Sequence, residues 1–197
     1  MAKVCKFGGT SMADADAICR VRKIIESDSD RRFIVVSAPG KRNSSDVKIT
    51  DMLYGCYDDI VNKGNCAEKF SRVAERFIEI AKKFSLKIDV EALLVETQLQ
   101  MVAKRSRDFC ASRGEYVSAR LVADILGFEF IDAATVIRFT KNGKPDFNAT
   151  EKIIGKRLSK SLNAVIPGFY GSMPDGSIKT FSRGGSDITG AIVARAV

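Results

Sequence analysis

Two glycine turns with charged neighbours, far apart in the chain, have the residue types of an anion-binding site. They are residues 6–11 (KFGGTS), after a short apolar segment, and residues 183–187 (RGGSD). Glycine lets the backbone approach a phosphate closely, and a helix beginning after the turn offers free N–H groups and partial positive charge. We therefore predict an anion site at the first turn, with Lys6 adding a full charge. An ordinary strand–turn–helix with a solvated lysine explains the turn equally well, since it matches neither standard nucleotide-binding glycine motif.

The acids and hydroxyls near these turns also have a simple structural explanation. Ser186 and Asp187 have the residue types of a helix N-terminus, and Glu115 has the spacing of a capping-box partner for Ser112. The alternative is that the two turns, with their lysine and arginine, converge with Glu115 and several hydroxyls. Such a cluster predicts a site for a small zwitterion together with a phosphate.

Composition excludes several classes of protein. The 197 residues are 45% apolar and 28% charged, which is typical of a globular domain, and no apolar run approaches the ~18 residues of a membrane helix. The chain has no histidine, so a serine–histidine–aspartate site and a cysteine–histidine site are excluded, and a zinc site is disfavoured. Five scattered cysteines without a signal peptide predict reduced thiols in a cytoplasmic protein.

The net charge of +8 does not predict a nucleic-acid partner. The basic residues are not grouped with aromatic ones, and most lie beside acids on the predicted helix faces. An attraction for small anionic substrates explains the sign of the charge as well.

The elements that must position these residues are predicted from apolar runs and helical spacing. Short apolar runs ended by glycine or proline indicate strands, and the first two enclose a helical pattern as a βαβ unit. The predicted strands are 4–7, 33–36, 128–131 and 164–166. A helix is predicted over 12–27, and residues 51–110 are predicted to be helical with breaks near 63–65 and 85–89. Further helices are predicted from Ser112 to Gly127, after Asn148, and from Ser186 to the end of the chain.

Turn and cap residues give the boundaries of these elements. Asn142-Gly143 and Asp175-Gly176 predict two hairpin turns. A polar loop, 41–50, is predicted to be mobile. Helix starts are predicted where a short polar side chain can accept a backbone hydrogen bond; these residues are Ser11, Thr50, Ser112 and Asn148. The overall pattern predicts an α/β fold with ligands at the carboxyl ends of the strands.

Five motifs together resemble the aspartokinases of the amino acid kinase family. They occur in the family's order and extend over the whole chain: residues 6–11, 37–40 (SAPG) with Thr50, 112–119 (SRGEYVSA), 167–171 (PGFYG) and 183–187. The first motif is shared across the superfamily, whereas SRGE together with RGGSD is specific. Ser182 stands where the family commonly has glycine.

The resemblance implies a three-layer αβα sandwich with a mainly parallel central sheet and β-hairpins. It also implies transfer of the γ-phosphoryl group of ATP to the side-chain carboxylate of L-aspartate, the first step toward lysine, threonine and methionine. By the same resemblance, Lys6 would stabilise the transferring phosphoryl group, Asp187 would orient Lys6, and Gly8 and Gly9 would lie against the phosphates. Mg²⁺ would be held mainly through the ATP phosphates, without a dedicated metal site on the chain.

The aspartate pocket implied by the resemblance has six members. Arg183 suits the α-carboxylate because its planar fork binds bidentately, and Glu115 suits the α-ammonium. The six residues are Ser37, Thr50, Glu115, Phe169, Arg183 and Ser186. An aspartate carboxylate has a pKa of about 4, so it is already an ionised nucleophile and needs no general base.

The chain ends at Val197 inside a predicted helix, where the family's catalytic domain continues. We therefore expect residues 1–197 to be the N-terminal, aspartate-binding part of that domain, without the rest of the nucleotide site or the regulatory ACT domains, and with little kinase activity alone. A homo-oligomer is compatible with the exposed sheet edge of such a fragment. Two alternatives stay open: a non-catalytic aspartate-binding module, and another amino acid kinase with a different carboxylate substrate.

Overall fold

A computed structural model describes residues 2–182 and 184–197 as alternating strands and helices. The strands of the described residues are β1 (Lys3–Phe7), β2 (Arg31–Val36), β3 (Glu129–Phe130), β4 (Ala164–Pro167), β5 (Tyr170–Ser172) and β6 (Ile178–Thr180). The helices are α1 (Ala15–Glu26), α2 (Ile49–Lys63), α3 (Ala67–Ala81), α4 (Val90–Lys104), α5 (Arg107–Leu126), α6 (Ala133–Val136), α7 (Phe147–Leu158) and α8 (Gly185–Ala196). A short 3-10 helix, Gly9–Met12, follows β1.

The central sheet is parallel and has the strand order β1-β2-β4-β3. Along β2, Ile34 and Val36 belong to a core shared with α1 to α5, whereas Phe33 and Val35 belong to a core shared with α6 to α8. Both faces of the sheet are thus covered by helices, which explains why its strands are short uninterrupted apolar runs. The predicted three-layer αβα fold is confirmed.

The two predicted hairpin turns differ in what they join. Strands β5 and β6 form an antiparallel pair, with Gly176 at φ +82° and the amide of Ser177 bonded to the Asp175 carboxylate. At the other turn, Gly143 has φ +71°, but the flanking segments pair only as an isolated bridge between Phe139 and Pro145. Both turns therefore form, but of the two only the Asp175-Gly176 turn joins two regular strands.

Several predicted helix starts are wrong. The residues that accept the cap hydrogen bonds in place of Ser11, Ser112 and Asn148 are Asp14, Ser106 and Asp146. Helix α2 begins at Ile49 after Lys48, which provides no side-chain cap, so Thr50 lies within the first turn. Helix α8 follows Gly184 and also lacks a side-chain cap. The predicted end of α5 at Gly127 is confirmed by its left-handed conformation.

Candidate functional site

The carboxyl ends of three neighbouring parallel strands bring three of the motifs to one edge of the sheet. Phe7 pairs with Val36, and Val36 pairs with Pro167, so the residues that follow them leave adjacent strands side by side. These following residues are Gly8, Ser37 and Gly168. The sheet edge therefore joins segments that are far apart in the sequence, at the position where α/β proteins bind ligands.

Lys6 and Asp187 form an ion pair at this edge. The Lys6 Nζ lies 2.7 Å from the Asp187 Oδ1, so the two glycine turns do lie together as the sequence predicted. Gly190, one turn along α8 from Asp187, lets this helix approach β1, because an added Cβ there would lie 3.3 Å from the Lys6 Cβ. The ammonium also lies 3.4 Å from where a Cβ on Gly8 would be. The Lys6 ammonium thus lies beside Gly8, where the turn carries no side chain.

The glycine turn packs directly on the loop that follows β2. The Gly40 amide donates to the Gly9 carbonyl oxygen at 2.8 Å, and an added Cβ on Gly40 would lie 2.7 Å from the Gly9 carbonyl carbon. Such backbone contact excludes any side chain at Gly40. The first two motifs therefore form one unit.

Glu115 is a buried acid that makes no ion pair among the described residues. It lies in the middle of α5, where Gly114 allows the helix to approach Ala38 closely. Its side chain is 5% exposed, and neither its Oε2 nor the Oγ of Ser118 has a hydrogen-bond partner among the described residues. Burial raises the pKa of Glu115 to about 8, and backbone hydrogen bonds, the largest from Ala38, together with the charge of Arg113 oppose this only in part. A buried carboxylate with free hydrogen-bonding capacity is suited to receive a cation.

Phe169 occupies a strained conformation beside the start of α8. Its φ of +80° is rare for a bulky residue, and such strain is concentrated at functional sites. Its amide donates to the Thr189 Oγ1 at 3.2 Å. Two glycines make room for this arrangement. A Cβ added at Gly168 would lie 2.5 Å from the Ser186 Oγ, and one added at Gly185 would lie 2.8 Å from the Phe169 Cα.

The remaining predicted pocket residues are placed as follows. Ser37 donates its amide to the Phe7 carbonyl oxygen at 3.1 Å, at the end of β2. Thr50 is half-buried in the first turn of α2, the helix that packs on α5 near Gly114. Arg183 lies outside the described residues. The pocket roles of all six residues stay predictions.

Arg76, a buried residue near the site, was not predicted from the sequence. Its guanidinium contacts the loop after β2, although an arginine on an amphipathic helix is usually solvated. A signal was present in the sequence, because Arg76 follows Val73 by three positions and precedes Ile80 by four. That spacing places it on the apolar side of α3.

Among residues 2–182 and 184–197, no group of three or more histidine, cysteine, aspartate or glutamate residues is placed to hold a metal ion. Within the same residues, no helix has both the length and the apolar character needed to cross a membrane.

Comparison with known proteins places these observations in a family. The family model described as "Amino acid kinase family" matches residues 1–197. The chain is 32% identical to "Aspartokinase 3" of Bacillus subtilis, over 98% of this chain and 45% of that protein.

Two solved structures are similar to the chain. The aspartate kinase of Clostridium acetobutylicum has a TM-score of 0.95 and 42% identity, covering 98% of this chain and 45% of that one. Aspartokinase III of Escherichia coli, in complex with aspartate and ADP, has a TM-score of 0.80 and 27% identity, covering 100% of this chain and 47% of that one. The chain thus spans less than half the length of each of these relatives.

Proposed function

Because the chain belongs to the amino acid kinase family, we propose that it is the aspartate-binding part of an aspartate kinase. The reaction is transfer of the γ-phosphoryl group of ATP to the side-chain carboxylate of L-aspartate, giving 4-phospho-L-aspartate. The similarity to aspartate kinases over nearly the whole chain supports this proposal, as does the complex of the E. coli relative with aspartate and ADP.

The observation that carries the proposal is the Lys6–Asp187 ion pair beside the Gly8 turn. A phosphoryl group in transfer carries negative charge on its equatorial oxygens, and neutralising this charge lowers the barrier. The Lys6 ammonium supplies that positive charge. Asp187 holds the ammonium at the strand end, so the lysine does not have to be ordered during the reaction.

Aspartate recognition follows from the charges of the pocket. Glu115 pairs with the α-ammonium, which compensates a carboxylate that is otherwise buried and incompletely bonded. Arg183 binds the α-carboxylate in a bidentate manner. Ser37, Thr50, Phe169 and Ser186 line the rest of the pocket. The reacting carboxylate is ionised at neutral pH, so the chain supplies position and charge but no general base.

The first glycine turn fits the phosphates of ATP. The positions of Gly8 and Gly9 carry no side chain, and the Lys6 ammonium lies beside them. Mg²⁺, when bound with ATP, would supply further neutralisation of phosphate charge, and it would be held mainly by phosphate oxygens. Lys6 then orients the phosphate end of the nucleotide toward the aspartate pocket.

Calorimetric titration of the chain with three amino acids tests the substrate. We expect binding of L-aspartate, weaker binding of L-glutamate, and no binding of N-acetylglutamate, which lacks the ammonium that Glu115 recognises. Tighter binding of N-acetylglutamate would contradict the proposal and favour another amino acid kinase. In a protein containing the complete catalytic domain, L-aspartate should be phosphorylated; binding without phosphorylation would indicate an aspartate-binding module.

The biological setting of this reaction is proposed on the same basis. As the first step toward lysine, threonine and methionine, it places the protein in amino-acid biosynthesis in the cytoplasm. A homo-oligomer stays a prediction.

A further inference from the structure

Arg76 joins two segments of the chain at three points, namely Ala13 after the 3-10 helix and Gly40 and Val47 in the loop between β2 and α2. It lies on α3 and is 5% exposed. Its Nη2 donates to the carbonyl oxygens of Gly40 at 2.8 Å and Ala13 at 3.1 Å, and its Nη1 donates to that of Val47 at 2.8 Å. A guanidinium has a rigid planar fork of donors, so one side chain can fix the relative positions of three carbonyl groups.

Each of these segments carries part of the proposed site. Ala13 follows the 3-10 helix of the first glycine turn, and Gly40 lies in the loop that begins at Ser37 and leads to α2. Val47 precedes α2, whose first turn contains Thr50. Arg76 therefore contacts the backbone just after the 3-10 helix of the first glycine turn and the backbone of the loop between β2 and α2 at two points.

The contact with Gly40 extends directly to the first glycine turn. The Gly40 carbonyl accepts from Arg76, while the Gly40 amide donates to the Gly9 carbonyl. The adjacent carbonyl, of Pro39, accepts from the Ile49 amide at 3.1 Å. Movement of this loop would therefore shift the first glycine turn and the start of α2 together.

Ion pairing alone does not explain a buried arginine at this position. The nearest acid, Asp46, lies 3.3 Å from the Arg76 Nη1 but only 2.9 Å from the Nε of the half-exposed Arg42. The Nε of Arg76 has no hydrogen-bond partner among the described residues. A buried ion pair is weak evidence for stability, because desolvation offsets the attraction. The geometry is better explained by the three carbonyl contacts.

We propose that Arg76 is a positioning residue, which holds the Gly8–Gly9 turn, the loop after Ser37 and the first turn of α2 in the arrangement that binds aspartate. It is buried and acts through the backbone carbonyls that it contacts. The effect on aspartate binding rests on the proposed function. The three hydrogen bonds from Arg76 to Ala13, Gly40 and Val47, here called the clamp, can be tested without a ligand.

Amide hydrogen exchange on the intact chain measures the clamp. In Arg76→Met, which keeps an apolar stem but removes the donors, we expect exchange at the Gly40 and Ile49 amides to rise at least about tenfold. Exchange within α5 and β4 should stay unchanged. Arg72→Met, an exposed substitution one turn earlier on α3, is the matched control and should leave all of these rates unchanged. An equal rise throughout the protein in Arg76→Met would overturn the proposal, because it would indicate general destabilisation.

Calorimetric titration with L-aspartate then tests the consequence. Arg76→Met should weaken binding at least about tenfold. Arg76→Lys should recover only part of this loss, because an ammonium reaches fewer carbonyls than a guanidinium. Affinity within about twofold of the unmodified chain in Arg76→Met would overturn the proposal. If Arg76→Met does not fold, Arg76→Lys provides both measurements, and unchanged exchange at Gly40 and Ile49 in that variant would refute the clamp. If the unmodified chain does not bind aspartate, the proposed function fails, and the exchange pattern alone decides the role of Arg76.

Discussion

Glu115 should make aspartate binding depend on pH. Its pKa, about 8 against an ordinary 4.5, means that a charged carboxylate in the empty pocket costs roughly 5 kcal/mol. Only the ionised form attracts the ammonium of aspartate, and the ionised fraction is about 1% at pH 6, 10% at pH 7 and half at pH 8. We therefore expect the affinity for L-aspartate to rise about 50-fold between pH 6 and pH 8, and aspartate binding at pH 7 to release about 0.9 proton.

Isothermal titration calorimetry at several pH values, in buffers of different ionisation enthalpy, measures both quantities. Glu115→Gln should bind weakly, with no pH dependence in this range. The chain has no histidine, so the other group that ordinarily titrates here is the α-amino group, which this variant retains. Glu96→Gln, a substitution of an exposed acid, should behave like the unmodified chain. Affinity that changes less than about threefold between pH 6 and pH 8, or an equal slope in Glu115→Gln, would refute the reasoning.

Three further predictions concern turnover and stability. In a protein with the complete catalytic domain, Lys6→Ala should lower kcat far more than it weakens aspartate binding, and steady-state kinetics showing equal losses would contradict a phosphoryl-directed role. Because the folded-state pKa of Glu115 is raised, its contribution to stability is present below pH 4.5 and is lost as pH rises to about 8. Glu115→Gln should therefore gain stability relative to the unmodified chain between pH 5 and pH 8 in urea titrations; a constant difference would refute the burial argument. Gly168→Ala should destabilise the fold by about 1–3 kcal/mol, because its Cβ would lie 2.5 Å from the Ser186 Oγ. Gly55→Ala, whose Cβ would meet only a lysine side chain at 3.5 Å, is the control, and equal denaturation midpoints for the two variants would argue against a close contact at Gly168.

The layered fold was predictable because its signals are local and strong. The run Phe33–Val36 is buried on both faces of the sheet, so its uninterrupted apolar character marks a central parallel strand. Gly127 and Gly176 adopt positive φ where the sequence predicted a helix end and a turn. These residues determine structure through their own backbone preferences, which tertiary contacts do not override.

Helix starts were less predictable because many short polar side chains compete for them. Ser112 has the spacing of a cap, but α5 begins earlier, at Arg107 after Ser106. Gly114, two residues after Ser112, lies within α5 and not at its start. Its absent side chain instead accommodates Ala38, whose Cβ lies 2.7 Å from an added Cβ. That requirement comes from packing between distant segments, which the local sequence does not show.

The proximity of Lys6 and Asp187 was predictable from the sequence, whereas the residues that support the candidate site were not. The ion pair of Lys6 and Asp187 follows from two glycine turns at a shared sheet edge. By contrast, Gly190 and Arg76 act through contacts with parts of the chain that only the folded structure brings near. Their types alone, a glycine in a helix and an arginine among other charged residues, have common explanations that do not involve the site.

The position of β4 in the sheet has a consequence for the order of folding. This strand pairs with β2 across roughly 130 intervening residues, about half of which form helices α2 to α5. Closing so long a loop is slow compared with forming helices, so the helical layers can assemble before the sheet is complete. During synthesis, the N-terminal glycine turn leaves the ribosome long before the strand that completes its binding edge. Competence to bind a ligand should therefore arise only when the C-terminal third of the chain has been made.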